Sequence, residues 1–427
     1  MTNLQKWMSV YGNNLPRPLS GKADKQWTEY SITVRLPEIG RRVVLENSFP
    51  PEIENRIHGL IKEIPYGQIR PINRDDCGDW EEWNSLIEPY IGQNWLEVPW
   101  LFVEFYFYRR ILEAVDYFNS GKYFLVDPFH FQKTESFRVS LQSINDLLKW
   151  LNELRQEKET NKAILGKLLL YILESNRVDL SLWPVKEGVT RQQSARKSQN
   201  DYLMVDDVQQ ALDWFFARKI SRLDILIDNA GFELLGDLCM VQFLLEQGII
   251  NQAVLHVKPC PIFVSDVIEA DVYKSIQLLT EQEGKYKRLA RFGGQLGRYM
   301  SEMKIRIECD PFWAYPLPFW KMPSHLYNDL GSSDFIISKG DANYRRLLGD
   351  RRWDYQDPFP KVISYFPSAL LAIRIIKSEI GVGYAKGRYT KMVKTDPQWM
   401  KDGKWGTFQF WNGEWGEYDL PSTVRNV

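Results

Sequence analysis

The chain has 427 residues, with 54 Lys and Arg against 55 Asp and Glu, for a net charge of -1. That length holds two or three domains or one large α/β domain with additions. The near-zero charge argues against nucleic acid or an anionic membrane as partner. Hydrophobic residues make up 44% and charged residues 26%, the composition of an ordinary soluble protein. Cys77, Cys239, Cys260 and Cys309 form no CxxC pair and have no His at metal-ligand spacing. This argues against a zinc site or a disulfide framework and fits a reducing, cytoplasmic setting.

The N-terminus, Met1 to Lys6, lacks an apolar signal core. Pro16, Pro18 and Gly21 mark an irregular entry, and Pro50-Pro51 predicts the start of a helix. Val98 to Tyr108 is the most apolar run. It is interrupted by Glu104 and followed by Arg109-Arg110, too short to cross a bilayer, so it predicts a buried helix. Leu141, Ile144, Leu147, Leu148, Leu151 and Leu154 recur at helical spacing, as do Ile164, Leu168 and Ile172 with Leu165, Leu169 and Leu173. Arg155 to Lys162, between them, reads as a solvated face or turn. The polar stretch Lys186 to Asn200 predicts a linker or surface loop between a helical N-terminal region, 1–185, and an α/β domain, 201–427.

In the second half short apolar runs alternate with amphipathic stretches. The runs are Asp224 to Ile227, Gln252 to Val257, Ile262 to Val264, Asp334 to Ile337 and Leu370 to Ile373. The stretches are Phe232–Glu246, Val267–Leu279 and Tyr286–Met303. Such alternation predicts an α/β fold, a three-layer α/β/α core around a mostly parallel sheet. Ligands of these sheets bind at the C-terminal ends of the strands.

The predicted strand ends carry two kinds of group. Asp228, Asn229 and Asp266 are hard oxygen donors, and Lys339, Arg345, Arg374 and Lys377 are cations. Two carboxylates and an amide oxygen suit Mg²⁺ or Mn²⁺. Cations opposite would neutralise a phosphoryl group, and the turn Lys339-Gly340-Asp341 leads into a helix whose free N–H groups hold anions. Together they predict metal-assisted cleavage of phosphate monoesters. Each piece also has a plainer explanation: Asp228-Asn229, Ser265-Asp266 and Asp341 are all good helix-capping sequence, and Arg374 and Lys377 are ordinary surface residue types. Joint occurrence at several strand ends favours the functional reading. Gly381 to Gly387 misses a GxGxxG turn by one residue, no GxSxG, HExxH or P-loop occurs, and the four histidines lie far apart in sequence.

Three strings are distinctive: Asp228-Asn-Ala-Gly-Phe-Glu-Leu234, Phe263-Val-Ser-Asp266 and Ser338-Lys-Gly-Asp-Ala-Asn-Tyr-Arg345. They resemble the metal-dependent damage-control phosphatases, nearest the branch that includes the acidic-residue methyltransferase-like proteins. Softer matches run nearly end to end: Leu15 to Lys22, Thr33 to Ile39, Pro99 to Glu104, Tyr108 to Arg110, Asp127 to Phe129 and Asp396 to Met400. The resemblance implies a helical N-terminal region on an α/β core, and hydrolysis of sugar phosphates such as fructose phosphates. It implies a divalent metal (Mn²⁺, Mg²⁺, Co²⁺ or Ni²⁺) on Asp228, Asn229 and Asp266. Asp341, Asn343, Tyr344, Arg345 and Lys377 would contact substrate; the strand-end chemistry adds Lys339 and Arg374, and Asp228 and Asn229 would contact it as well. Asp228 or a water would attack while Lys377 stabilises charge on the phosphoryl group. Glu104 and Arg109 are further candidates from the helical half. Glu233 lies where a methyltransferase reading places S-adenosylmethionine, so a carboxyl methyltransferase is the alternative, and a non-catalytic metal- or phosphate-binding protein a third. The branch carries an Arg-Thr-x-Lys signature, and here the string is Arg374-Ile-Ile-Lys377, without the threonine. The sequence leaves the oligomeric state open.

Overall fold

The computed structural model describes residues 2–12, 14–175 and 202–415. The expected linker Lys186 to Asn200 lies outside them, as does the junction drawn at 185 and 201. The described residues build a seven-stranded sheet of β1 (Leu203–Asp206), β2 (Arg222–Leu226), β3 (Gln252–His256), β4 (Ile305–Glu308), β5 (Phe335–Lys339), β6 (Leu370–Ile375) and β7 (Gly406–Trp411), in the order β1-β7-β6-β5-β2-β3-β4. β6, β5, β2, β3 and β4 run parallel, while β7 pairs antiparallel with β6 and carries β1 alongside it. The sheet is therefore mostly parallel, as its alternating pattern requires.

Strand side chains alternate between two cores, one on each face. On one face Leu223, Ile225, Ile337, Leu371, Ile373 and Phe408 meet the helices His130–Gln156, Asn161–Ser175 and Phe232–Glu246. On the other, Leu226, Ile336, Leu370 and Trp411 meet the N-terminal helices, chief among them Trp100–Ala114. The N-terminal part thus supplies much of one outer layer and two helices of the other. Trp100–Ala114 is the buried helix expected from the apolar run, with every residue but Glu113 buried. Its charges are paired: Glu104 with Arg35 and Arg345, Arg109 with Asp75 and Asp79, Arg110 with Glu63 and Glu113. A charge can stay in such a place only if it is paired.

One expected strand is absent. Ile262 to Val264 is an irregular connection with Phe263 at φ +67. Its apolarity has another cause, since the Phe263 ring packs against Phe105 at 5.0 Å and Tyr108 at 4.9 Å. Strands β1, β4 and β7 are additions to the expected set. No helix among the described residues is long and apolar enough to cross a membrane.

Candidate active site

β2 lies between β3 and β5, so the chain leaves β2 toward one side of the sheet and later returns on the other. Such a switch point opens a crevice beyond the strands' C-terminal ends. Here the crevice is a cavity of about 50 Å³, several times the ~10–15 Å³ that one water needs. Asp228 and Asn229 enter it from β2, Ser265 and Asp266 from the loop after β3, Asp341 and Arg345 from the helix after β5, and Lys377 from beyond β6. The helical half closes the cavity with Trp27, Arg35, Trp100 and Glu104, and Phe263 and Ala342 complete it.

The oxygen donors are brought together by backbone. Asn229 and Asp266 form an antiparallel bridge: Ala230 N–H donates to Ser265 O at 2.7 Å and Val267 N–H to Asp228 O at 3.0 Å. Asp228, Asn229 and Asp266 are 5%, 4% and 3% exposed. None acts as a helix cap: the helix after β2 begins at Phe232, with Gly231 at its cap position and no capping side chain, and the helix after the loop begins at Glu269. Two glycines permit close packing here, Gly340 against Asp228 and Gly231 against Ser136. Gly340, at φ +82, would place a Cβ 1.9 Å from Asp228 Oδ2, and Gly231, at φ +70, would place one 2.1 Å from Ser136 Oγ. Only glycine fits both positions.

Asn229 has its amide fixed. Nδ2 donates to Asp228 Oδ2 at 2.7 Å and to Glu233 Oε2 at 2.8 Å, while Oδ1 accepts from Ser265 Oγ at 2.5 Å. Lys258, buried behind the cavity, approaches Asp266 at 3.6 Å. Burial drives its ammonium down, and the carboxylates of Asp266 and Asp228 only partly offset that.

The cationic side is a network. Arg345 donates to Asp350 at 2.7 and 3.1 Å, pairs with Glu104, and lies 3.5 Å over the Trp100 ring. Arg35 donates to Glu104 at 2.6 Å and to Ser31 at 2.9 Å. Burial alone would push the Glu104 carboxyl up, but Arg345 and Arg35 outweigh it and hold it below the ordinary range. Asp341 is in the first turn of Gly340–Leu347 and caps nothing there: its Oδ1 accepts from Lys377 N–H at 3.2 Å and meets the Arg374 guanidinium at 3.1 Å.

Several expected substrate contacts lie elsewhere. Lys339 is fully buried on the opposite face of the sheet, on Glu233 at 2.8 Å and Asp237 at 2.9 Å. Glu233 itself is 2% exposed, behind Asn229. Asn343 donates to Lys339 O at 3.0 Å, and Tyr344 O–H to Gln409 at 2.6 Å. Arg374 lies beneath Asp341, 4.0 Å over the Tyr344 ring. Arg109 pairs with Asp75 and Asp79. None of these residues is part of the cavity lining, and they brace the site from outside it. Conversely, Trp27, Arg35, Trp100, Phe263 and Ser265 line it without having been expected. Trp27, Arg35 and Trp100 lie on helical elements, where the strand-end rule does not look, whereas Phe263 and Ser265 fall in the run expected to be a strand and in its end.

The donor set fits a hard divalent cation: two carboxylates and an amide oxygen, with no thiol or imidazole in the cavity lining. Four carboxylates and three cations line the cavity, so a divalent ion would turn a small negative excess into a small positive one, as an anionic ligand needs. A second cluster, Asp224, His256 and Asp329, brings ligand atoms within 4.8 Å of one another. There Arg222 already reaches Asp224 at 2.7 Å and Asp329 at 2.8 Å, so a guanidinium supplies the positive charge.

Hard oxygen donors facing cations at the switch point of a parallel sheet are an arrangement that suits an α/β enzyme handling phosphate. A family model described as the damage-control phosphatase ARMT1-like domain matches residues 31–392, and the chain belongs to this family of phosphatases. It is 32% identical to damage-control phosphatase ARMT1 of Danio rerio over 94% of this chain and 98% of that one. It is 34% identical to the protein of that name from Rattus norvegicus, over 79% and 81%. A solved DUF89 family protein from Pyrococcus horikoshii aligns with a TM-score of 0.46 and 14% identity, over 85% of this chain and 94% of that chain.

Proposed function

We propose that the chain is a divalent-metal-dependent phosphatase of small phosphorylated metabolites, damaged ones or sugar phosphates of the fructose phosphate kind. The observation that carries this is the meeting of Asp228, Asn229 and Asp266 with Arg345, Arg35 and Lys377 around one small cavity. Asp228, Asn229 and Asp266 hold the metal, with Mn²⁺, Mg²⁺, Co²⁺ and Ni²⁺ as candidates. When bound, the ion neutralises charge on the phosphoryl group. Lys377 and Arg345 face the same group from the other side and stabilise charge that grows on its oxygens. Asp341 fixes the Lys377 backbone, and Glu104 fixes both guanidiniums. Trp27, Trp100 and Phe263 exclude water, which strengthens each of these interactions. Unpaired cysteines, including the exposed Cys77, suit a reducing cytoplasm.

Two features favour this reading over its rivals. Glu233, the residue a methyltransferase would use, is committed to Lys339 and Asn229. Ile375, which stands where the branch has threonine, is fully buried in the core on the far face of the sheet, so the substitution removes nothing from the cavity. The test is phosphate release from a panel of sugar phosphates with and without Mn²⁺ or Co²⁺. Asp228→Ala and Asp266→Ala are expected to abolish it, and full activity in either would refute the assignment. No heat on titrating S-adenosylmethionine is the companion expectation.

A further inference from the structure

Lys339 was expected at the phosphate and is instead sealed under the site. Its ammonium, 0% exposed, bridges Glu233 Oε1 at 2.8 Å and Asp237 at 2.9 and 3.1 Å. Glu233 and Asp237 stand one turn apart on Phe232–Glu246 and so project from the same side of that helix. The other oxygen of Glu233 accepts from Asn229 Nδ2. An asparagine amide has two nearly isosteric orientations, and its neighbours choose between them. Here two carboxylate oxygens, one from Asp228 and one from Glu233, demand Nδ2, so Oδ1 must point the other way, toward Ser265.

We infer that Lys339 is a positioning residue for the metal site, acting through Glu233 to hold the Asn229 amide with its oxygen as the metal-facing atom. The inference rests on the metal reading given above. Lys339 orients the Glu233 carboxylate, and Asp237 orients Lys339 from behind. Partners one step removed from a metal commonly set its affinity in this way. The arrangement also accounts for a buried cation that cannot reach a substrate.

Calorimetric titration of the full chain with Mn²⁺ tests this, with Glu233→Gln as the principal variant. A glutamine can present its oxygen to Lys339 or to Asn229, but its NH₂ group then faces the other. Glu233→Gln, and Lys339→Met where it folds, are expected to weaken Mn²⁺ binding about 10- to 100-fold. Saturating Mn²⁺ should restore most of kcat in Glu233→Gln, a split that general loosening of the core would not give. The double variant should bind no worse than the weaker single one, because both changes break one chain of contacts. A folded Glu233→Gln that binds Mn²⁺ within about twofold of wild type, while Asp228→Ala loses binding, would overturn the inference and leave the metal reading standing. Unchanged Mn²⁺ affinity in Asp228→Ala would overturn the metal reading, and this inference with it.

Discussion

At the scale of single residues, position 375 separates sequence resemblance from spatial role. Arg374 and Lys377 flank it in a familiar string, yet the Ile375 side chain faces the apolar core shared with Phe408. Ile375→Thr is therefore expected to leave kcat/KM unchanged while costing about 1–3 kcal/mol of stability, because it buries a hydroxyl among hydrocarbon. A thermal melt beside an activity assay checks both halves. Gly340→Ala should act in the opposite way. Its Cβ would meet the Asp228 carboxylate at 1.9 Å, so metal affinity and activity should fall together, measurable by Mn²⁺ titration.

Elements show why part of the site was legible and part was not. Asp228, Asn229 and Asp266 could be found because a strand's apolar run ends abruptly and the polar residue after it falls at a known place in a parallel sheet. Arg35 and Trp27 could not, because no comparable rule says which helix residue faces a cavity made by another part of the chain. The apolar triplet Ile262 to Val264 looked like a strand because it is buried by aromatic rings, and periodicity over three residues cannot tell the two apart. Lys339 stands at the expected strand end, but its side chain points to the face away from the cavity, and a strand end alone does not say which face, a matter of one residue in a period of two.

The segment carrying Trp27 has its own anchor. Asp24 accepts from Arg17 at 2.8 Å, from Ser20 N–H at 2.9 Å and from Arg352, here 2.6 Å away. Burial opposes ionisation there, but the hydrogen bonds from Arg17, Ser20 and Arg352 prevail and bring the carboxyl down to about 2. A carboxyl lower in the folded state stabilises that state above its ordinary value near 3.8, and the contribution is lost as pH falls from there toward 2. Asp24→Asn should thus cost on the order of 1 kcal/mol at pH 7, with the exposed Arg17 screened, and the gap from wild type should narrow below pH 4. Urea midpoints across pH measure it. Glu104→Gln should be harsher, about 3–5 kcal/mol, since the buried Arg345 and the partly buried Arg35 lose part of their counter-charge.

Across the whole molecule, the composition and the alternation in the second half were enough to give the α/β class and the layer count. Less legible was how the first half is used. Helices His130–Gln156 and Asn161–Ser175 pack in the same core as β2, β5 and β6, and Trp100–Ala114 covers the other face. A fragment of residues 202–427 should therefore expose both sheet faces and fail to hold fixed packing, seen as loss of near-ultraviolet circular dichroism. A cooperative, well-packed fragment would contradict that.

The central claim is that one cavity joins metal and phosphate through residues of both halves of the chain. Its most direct test is phosphate release from fructose phosphates by the 427-residue chain, wild type against Asp266→Ala, over a range of Mn²⁺ concentrations. The account predicts saturable Mn²⁺-dependent release in wild type, and none in the variant at any metal concentration. Release that persists after chelation, or that survives in folded Asp266→Ala, would contradict it.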